Sequence, residues 1–74
     1  MPSSVIRRFV YDQTERNLWV EFTTGRRYVY SGVPHEVADS FRQAFSKGLF
    51  FNSRIRDQFP HREVTHHEEQ ETRS

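Results

Sequence analysis

The sequence predicts a small α+β domain: a three-stranded antiparallel meander with two short helices packed on one face, in the order βββαα. Three observations predict it. Before residue 32, short runs mix apolar and polar residues at strand periodicity. The turns between these runs are short, which suits antiparallel neighbours. After Pro34 the apolar spacing changes to i, i+4, i+7, i+8, which is helix periodicity.

Met1-Pro-Ser-Ser reads as a frayed start. Val5 to Asp12 is rich in β-branched and aromatic residues and reads as the first strand. Phe9 and Tyr11 can share a face, but Ile6 joins them only through a β-bulge. Gln13 to Asn17 is a polar turn. Leu18 to Thr23 alternates cleanly, with Leu18, Val20 and Phe22 on one face and Trp19, Glu21 and Thr23 on the other. Gly25 marks the next turn, and Arg27 to Ser31 is the third strand.

Two hairpin registers are open. A three-residue turn at 24–26 sets Phe22 opposite Tyr28 and Val20 opposite Tyr30, and both tyrosines face the helices. A two-residue turn at Thr24-Gly25 sets Glu21 opposite Tyr28 and Trp19 opposite Tyr30, and the rings form a platform on the open face. The first is favoured, because so small a chain has few apolar residues to cover two helices. Trp19 points outward in both, and an exposed Trp hints at binding.

Pro34 suits the first turn of a helix, and Glu36 and Asp39 suit its positive end. Val37, Phe41, Ala44 and Phe45 make one apolar stripe, and the helix is expected to stop near Ser46. Ser46 can cap a second helix from about Lys47 to Asp57, with Phe51 and Ile55 facing the core. Pro60 prevents its continuation. The expected helical core is Val37, Phe41, Phe45, Phe51 and Ile55.

A 74-residue chain makes one domain at most and buries only about 60% of the surface its unfolded form exposes. It has no cysteine, so seven Phe, three Tyr and one Trp must supply the cohesion. No apolar run approaches the roughly 20 residues of a membrane span, there is no signal-peptide pattern, and a cytoplasmic location is the default. Residues 1–62 hold ten of the 11 Lys/Arg against six acids, a net +4. Residues 63–74 hold four glutamates against one arginine, a net −3. The domain is therefore assigned to 1–62 and a disordered, acidic, histidine-containing tail to 63–74. A basic domain of this kind meets anionic partners, although +4 is also ordinary solubilising charge.

The run Tyr28-Val29-Tyr30-Ser31-Gly32-Val33-Pro34 resembles the core of the KTSC domain family. So do Ser46-Lys47-Gly48, Phe50-Phe51-Asn52 and Ile55-Arg56 downstream, and Leu18-x-Val20-x-Phe22 and Ile6-x-x-Phe9-x-Tyr11 upstream. The resemblance covers roughly residues 4–64. It implies a domain that is appended to the C-terminus of certain lysyl-tRNA synthetases and also stands alone as a small bacterial protein. RNA binding is its suggested role, and it carries no catalytic residue to transfer. Phe59 and His61 depart from the family, standing where tyrosines are frequent.

The residues themselves point to one candidate site. Lys47, Phe50 and Arg54 recur at i, i+3 and i+7 along the second helix, with Asn52 and Arg56 to the sides. Cations beside a ring suit a nucleic-acid strand, whose phosphates take salt contacts and whose bases stack. Arg7, Arg8, Arg26 and Arg27 add cations on the sheet side. The Ser46-Lys47-Gly48 junction can hold an anion at a helix N-terminus. The same residues also read as structure: Ser46 a cap, Gly48 a tight corner, Phe50 a packing residue.

RNA or another anionic partner is thus the leading expectation, and a protein partner met through exposed rings is the alternative. A monomer is expected, with no membrane partner, cofactor or metal; the adjacent His66 and His67 lack helical ligand spacing. No enzyme is expected. The chain has no P-loop, no nucleophile elbow and no paired carboxylates, and it is too small to enclose a pocket of roughly 300 Å³.

Overall fold

The structure, a computed structural model, describes residues 6–64 of the 74-residue chain. β1 (Ile6–Asp12) pairs antiparallel with β2 (Asn17–Phe22). The register slips between Ile6 and Arg8. That bulge meets the condition under which Ile6 shares a face with Phe9: it lets Ile6, Phe9 and Tyr11 all pack against the core. Asp12 Oδ1 accepts the N–H of Thr14 at 3.1 Å and of Glu15 at 3.2 Å, which shapes the β1–β2 turn.

β3 (Arg27–Tyr30) lies beside β2 in a register that neither sequence alternative had. Val20 faces Tyr28 and Leu18 faces Tyr30. The loop is three residues long, as favoured, but at 23–25 rather than 24–26. Phe22 N–H donates to the Arg26 carbonyl at 2.8 Å, and Gly25 N–H donates to the Phe22 carbonyl at 2.9 Å. The last residue of such a loop takes positive φ, and Gly25 (φ 97°) is the residue there that does so without strain. Sliding the loop by one moves the pairing by two. Each side chain therefore keeps its face, and both tyrosines face the helices.

A fourth strand completes the sheet. β4 (His61–Glu63) pairs antiparallel with β3, and the spatial order is β1-β2-β3-β4. Three polar residues carry no strand signal; the open edge of β3 recruits them. The packed chain also runs past Arg62, because Val64 is only 5% exposed and its N–H donates to the Arg27 carbonyl at 2.8 Å. The remainder of the expected tail, residues 65–74 with His66 and His67, lies outside the described residues, as does the expected frayed start.

α1 (His35–Gln43) starts after Pro34 and buries Ala38 and Phe41. It stops before Ser46, because Ala44 turns extended (ψ 137°). Helical spacing then no longer relates Phe41 to Phe45. Phe45, expected in the core, is fully exposed at 107%. Val37 is half-buried against the core.

α2 (Lys47–Phe50) is capped as expected, with Leu49 N–H donating to Ser46 Oγ at 3.2 Å. It continues without a break into a π-type turn (Phe51–Ile55), closed by the Arg56 N–H on the Phe51 carbonyl at 2.8 Å. Phe51 and Ile55 are buried, as their spacing predicts.

The core lies between the helices and one sheet face, around Leu18, Val20, Val33, Phe41 and Ile55. Phe9 packs on Phe41 with ring centroids 4.2 Å apart. Tyr11 Oη donates to the Val33 carbonyl at 2.7 Å, which ties β1 to the segment leading into α1. On the opposite face Val10, Trp19, Val29 and Arg62 form a row across the four strands. Trp19 is half-buried there and Val29 is buried.

Two substitutions test the placement of the helical phenylalanines. Phe41→Ala is expected to cost about 3–5 kcal/mol in urea denaturation, and Phe45→Ala to stay within about 0.5 kcal/mol. Equal losses would mean that Phe45 is packed.

Candidate nucleic-acid interface

The inner sheet face does not end where the helices cover it. Beyond Phe51 a groove of about 590 Å³ remains, partly open to solvent. It is an open groove and not the enclosed, water-excluding pocket for which so small a chain lacks volume. The space exists because α2 covers only part of a face that β4 has widened. Phe22, Tyr28, Tyr30 and His61 come from three neighbouring strands, and Thr23, Thr24 and Arg26 from the β2–β3 loop. Phe51, Asn52, Arg56 and Asp57 come from the π-type turn and the residues after it.

Alternation along β2 and β3 points Phe22, Tyr28 and Tyr30 to this side. Pairing to β3 brings His61 onto the same face, opposite Tyr30. The His61 ring stacks on Tyr30 (centroids 5.0 Å, 27°) and lies 5.9 Å from Tyr28. Phe51 meets Phe22 and Tyr30 edge-on at 5.3 and 5.4 Å, and Phe22 meets Tyr28 edge-on at 5.7 Å. The floor is thus one connected set of rings. Burial pushes the Tyr30 phenol up to about 12; Tyr28 and Asp57 add to the effect and Arg56 opposes it. Arg26 and Arg56 supply positive charge from two different walls.

The four residues singled out from the sequence separate. Lys47 turns back, its Nζ donating to the Ala44 carbonyl at 2.8 Å, where it closes the end of α1. Phe50 stacks on Phe41 (5.6 Å, 22°), and the Arg54 guanidinium lies 5.4 Å from the Phe50 ring centre. Arg56 lines the groove, with Nη1 donating to Asn52 Oδ1 at 3.3 Å. So Phe50 and Arg54 stay together, Lys47 serves the helix corner, and Arg56 joins a site of other residues.

The sheet-side cations divide as well. Arg8 Nε and Arg7 Nη1 lie 2.8 and 3.6 Å from the Glu21 carboxylate. The hydrogen bond from Arg8 holds the Glu21 carboxyl below its usual range. Arg26 alone of the four lines the groove. Sequence reasoning had flagged Tyr28 and Tyr30 as a same-face pair. It missed His61, Asp57 and Phe22 as site residues, because their meeting depends on β4 and on the end of α2. Among the described residues no group of His, Asp or Glu side chains is placed to hold a metal ion, and no helix is long and apolar enough to cross a membrane.

Comparison with known proteins gives a consistent result. The family model for the KTSC domain matches residues 2–59. A lysine–tRNA ligase of Nostoc punctiforme is 41% identical over 56 residues, which is 76% of this chain and 10% of that protein. The chain therefore spans about a tenth of the length of that ligase. An uncharacterised protein of Stutzerimonas stutzeri is 38% identical over 58 residues, 78% of this chain and 82% of that one. The crystal structure of a KTSC domain protein from Yersinia pestis superposes with a TM-score of 0.82 at 35% identity, covering 88% of this chain and 92% of its own. That neighbour agrees with the α+β fold found here.

The perturbed phenol has a measurable consequence. Tyr30 keeps its proton in the folded state above the pH at which the unfolded chain releases it. Its contribution to stability is full below pH 10.0 and is lost as the pH rises through about 12. Urea midpoints are expected to fall across that window, and less steeply in Tyr30→Phe. Equal slopes would place the Tyr30 hydroxyl in water.

Proposed function

The chain belongs to the KTSC domain family, and from that premise we propose that it is a single-stranded RNA-binding module that works through the ring-floored groove. The observation that carries this reading is the groove itself: connected rings between Arg26 on one wall and Arg56 on another. Unstacked bases lie on ring faces, and guanidinium groups take the phosphates between them. His61 is exposed and Tyr28 half-buried, so both rings reach the groove surface. A paired duplex hides its base faces, which favours single strands. The similarity to lysine–tRNA ligases, proteins named for a tRNA substrate, supports RNA among anionic partners.

Binding rather than catalysis is proposed, because the groove sets hydrogen-bonding and cationic groups around rings, without a nucleophile held by a base. Arg54, exposed beside Phe50 on the π-type turn, adds a further cation outside the groove.

A second reading has its own observation. Phe45 (107% exposed) and Leu49 (72%) flank Ser46-Lys47-Gly48 at the α1–α2 corner, two large exposed apolar side chains on so small a surface. That corner suits a protein contact with little salt dependence.

Amide shifts on titration with single-stranded RNA at low salt separate the two. The RNA reading expects shifts at Tyr28, Asn52, Arg56 and His61. Arg56→Ala should weaken binding and lower the salt slope by about 1, and His61→Ala should cost roughly 1–3 kcal/mol. If RNA leaves those amides unmoved, the RNA reading falls. A protein partner lost on Phe45→Ser, with its binding little changed by salt, would then take its place.

A further inference from the structure

We infer that the groove selects RNA over DNA, and that Asp57 makes the selection by accepting a hydrogen bond from a ribose 2′-hydroxyl. This rests on the RNA reading above and deepens it. Among the described residues that line the groove Asp57 is the only acid, and it directly follows Arg56 in the chain. Three other acids of the domain are engaged, whereas Glu15, Glu36 and Glu63 lie outside the groove. Asp12 accepts two backbone N–H groups, Glu21 is held by two arginines, and Asp39 takes Arg42 Nη1 at 2.8 Å. Among the described residues Asp57 has no such hydrogen bond or ion pair.

A carboxylate in a phosphate track is unfavourable unless the ligand brings it a donor. Like charges repel, and a nucleotide's phosphate offers no proton. The donors a nucleotide can offer are its ribose hydroxyls and its base N–H groups. Base N–H groups differ from base to base, whereas every ribonucleotide carries the 2′-hydroxyl and DNA lacks it. Asp57 lines the same groove as Tyr30 and His61, so its carboxylate belongs to the space where a sugar beside a stacked base would lie. Arg56 and Asp57 are adjacent, as phosphate and ribose are adjacent along a strand. The π-type turn, closed by the Arg56 N–H on the Phe51 carbonyl, anchors the pair. Arg56 holds the phosphate, the rings hold the base, and Asp57 holds the sugar.

Fluorescence polarisation with the whole chain tests this. The probes are a fluorescein-labelled oligouridylate, its 2′-deoxy counterpart with the same uracil bases, and its 2′-O-methyl counterpart. A charged hydrogen bond corresponds to about tenfold in affinity or more, so the RNA should bind about tenfold tighter than either analogue. Asp57→Ala should erase that preference by lowering RNA affinity to the level of the deoxy probe, which itself binds as well as before or better. Asp57 is exposed, and circular dichroism of the variant checks that the fold is kept. Equal binding of the three probes by the native chain overturns the inference and leaves the RNA reading standing. A preference that follows the base across oligoadenylate, oligocytidylate and oligouridylate, and not the sugar, also overturns it, since Asp57 would then read a base edge. Binding of no probe at all overturns both.

Discussion

Phe51 meets the sheet edge-on at two rings, Phe22 and Tyr30, and much of the structure depends on that contact. It holds the second helix against β2 and β3. It closes the core beside Ile55 and forms the inner wall of the groove. Each aromatic pair of this kind contributes about 0.5–1.5 kcal/mol beyond its area burial. In a domain with no disulfide and a thin margin, two such pairs on one residue matter. The same rings that keep the fold together therefore form the floor of its groove, so stability and binding draw on shared side chains.

The groove also depends on how the second helix ends. A regular α-helix from Lys47 to Asp57 would have been the simplest continuation of Ser46 as a cap. The chain instead widens to a π-type turn after Phe50. Insertions of this type are frequent at functional sites, because the wide turn re-aims the side chains that follow it. Here those side chains are Arg56 and Asp57, with Asn52 inside the turn itself. Arg54 stays with Phe50, outside the groove.

Much of the sheet was legible. Ile6 and Phe9 could share a face only through a bulge, and the register shift between Ile6 and Arg8 supplies it. The same-face pair Tyr28 and Tyr30 points inward, even though the loop sits one residue earlier than supposed. Of the site, Arg56 and the tyrosines were in view. The pairing of Lys47 with the Ala44 carbonyl was not in view, because it exists only once two helices meet at a corner. Phe45 was read as core because a helical stripe extrapolates smoothly through Ala44, whereas the backbone does not.

By itself, the sequence determined the fold class, the face of each long strand, the capped second helix and the reliance on aromatic cohesion. These follow from local periodicity and turn chemistry, which act between residues close in the chain. Only the tertiary structure decided the fourth strand, the exposure of Phe45, the early end of α1 and the groove where His61, Tyr30 and Asp57 come together. Those features depend on an open sheet edge and on a helix that covers only part of a face. Neither is a property of any local stretch of residues, and so neither leaves a periodic trace in the chain.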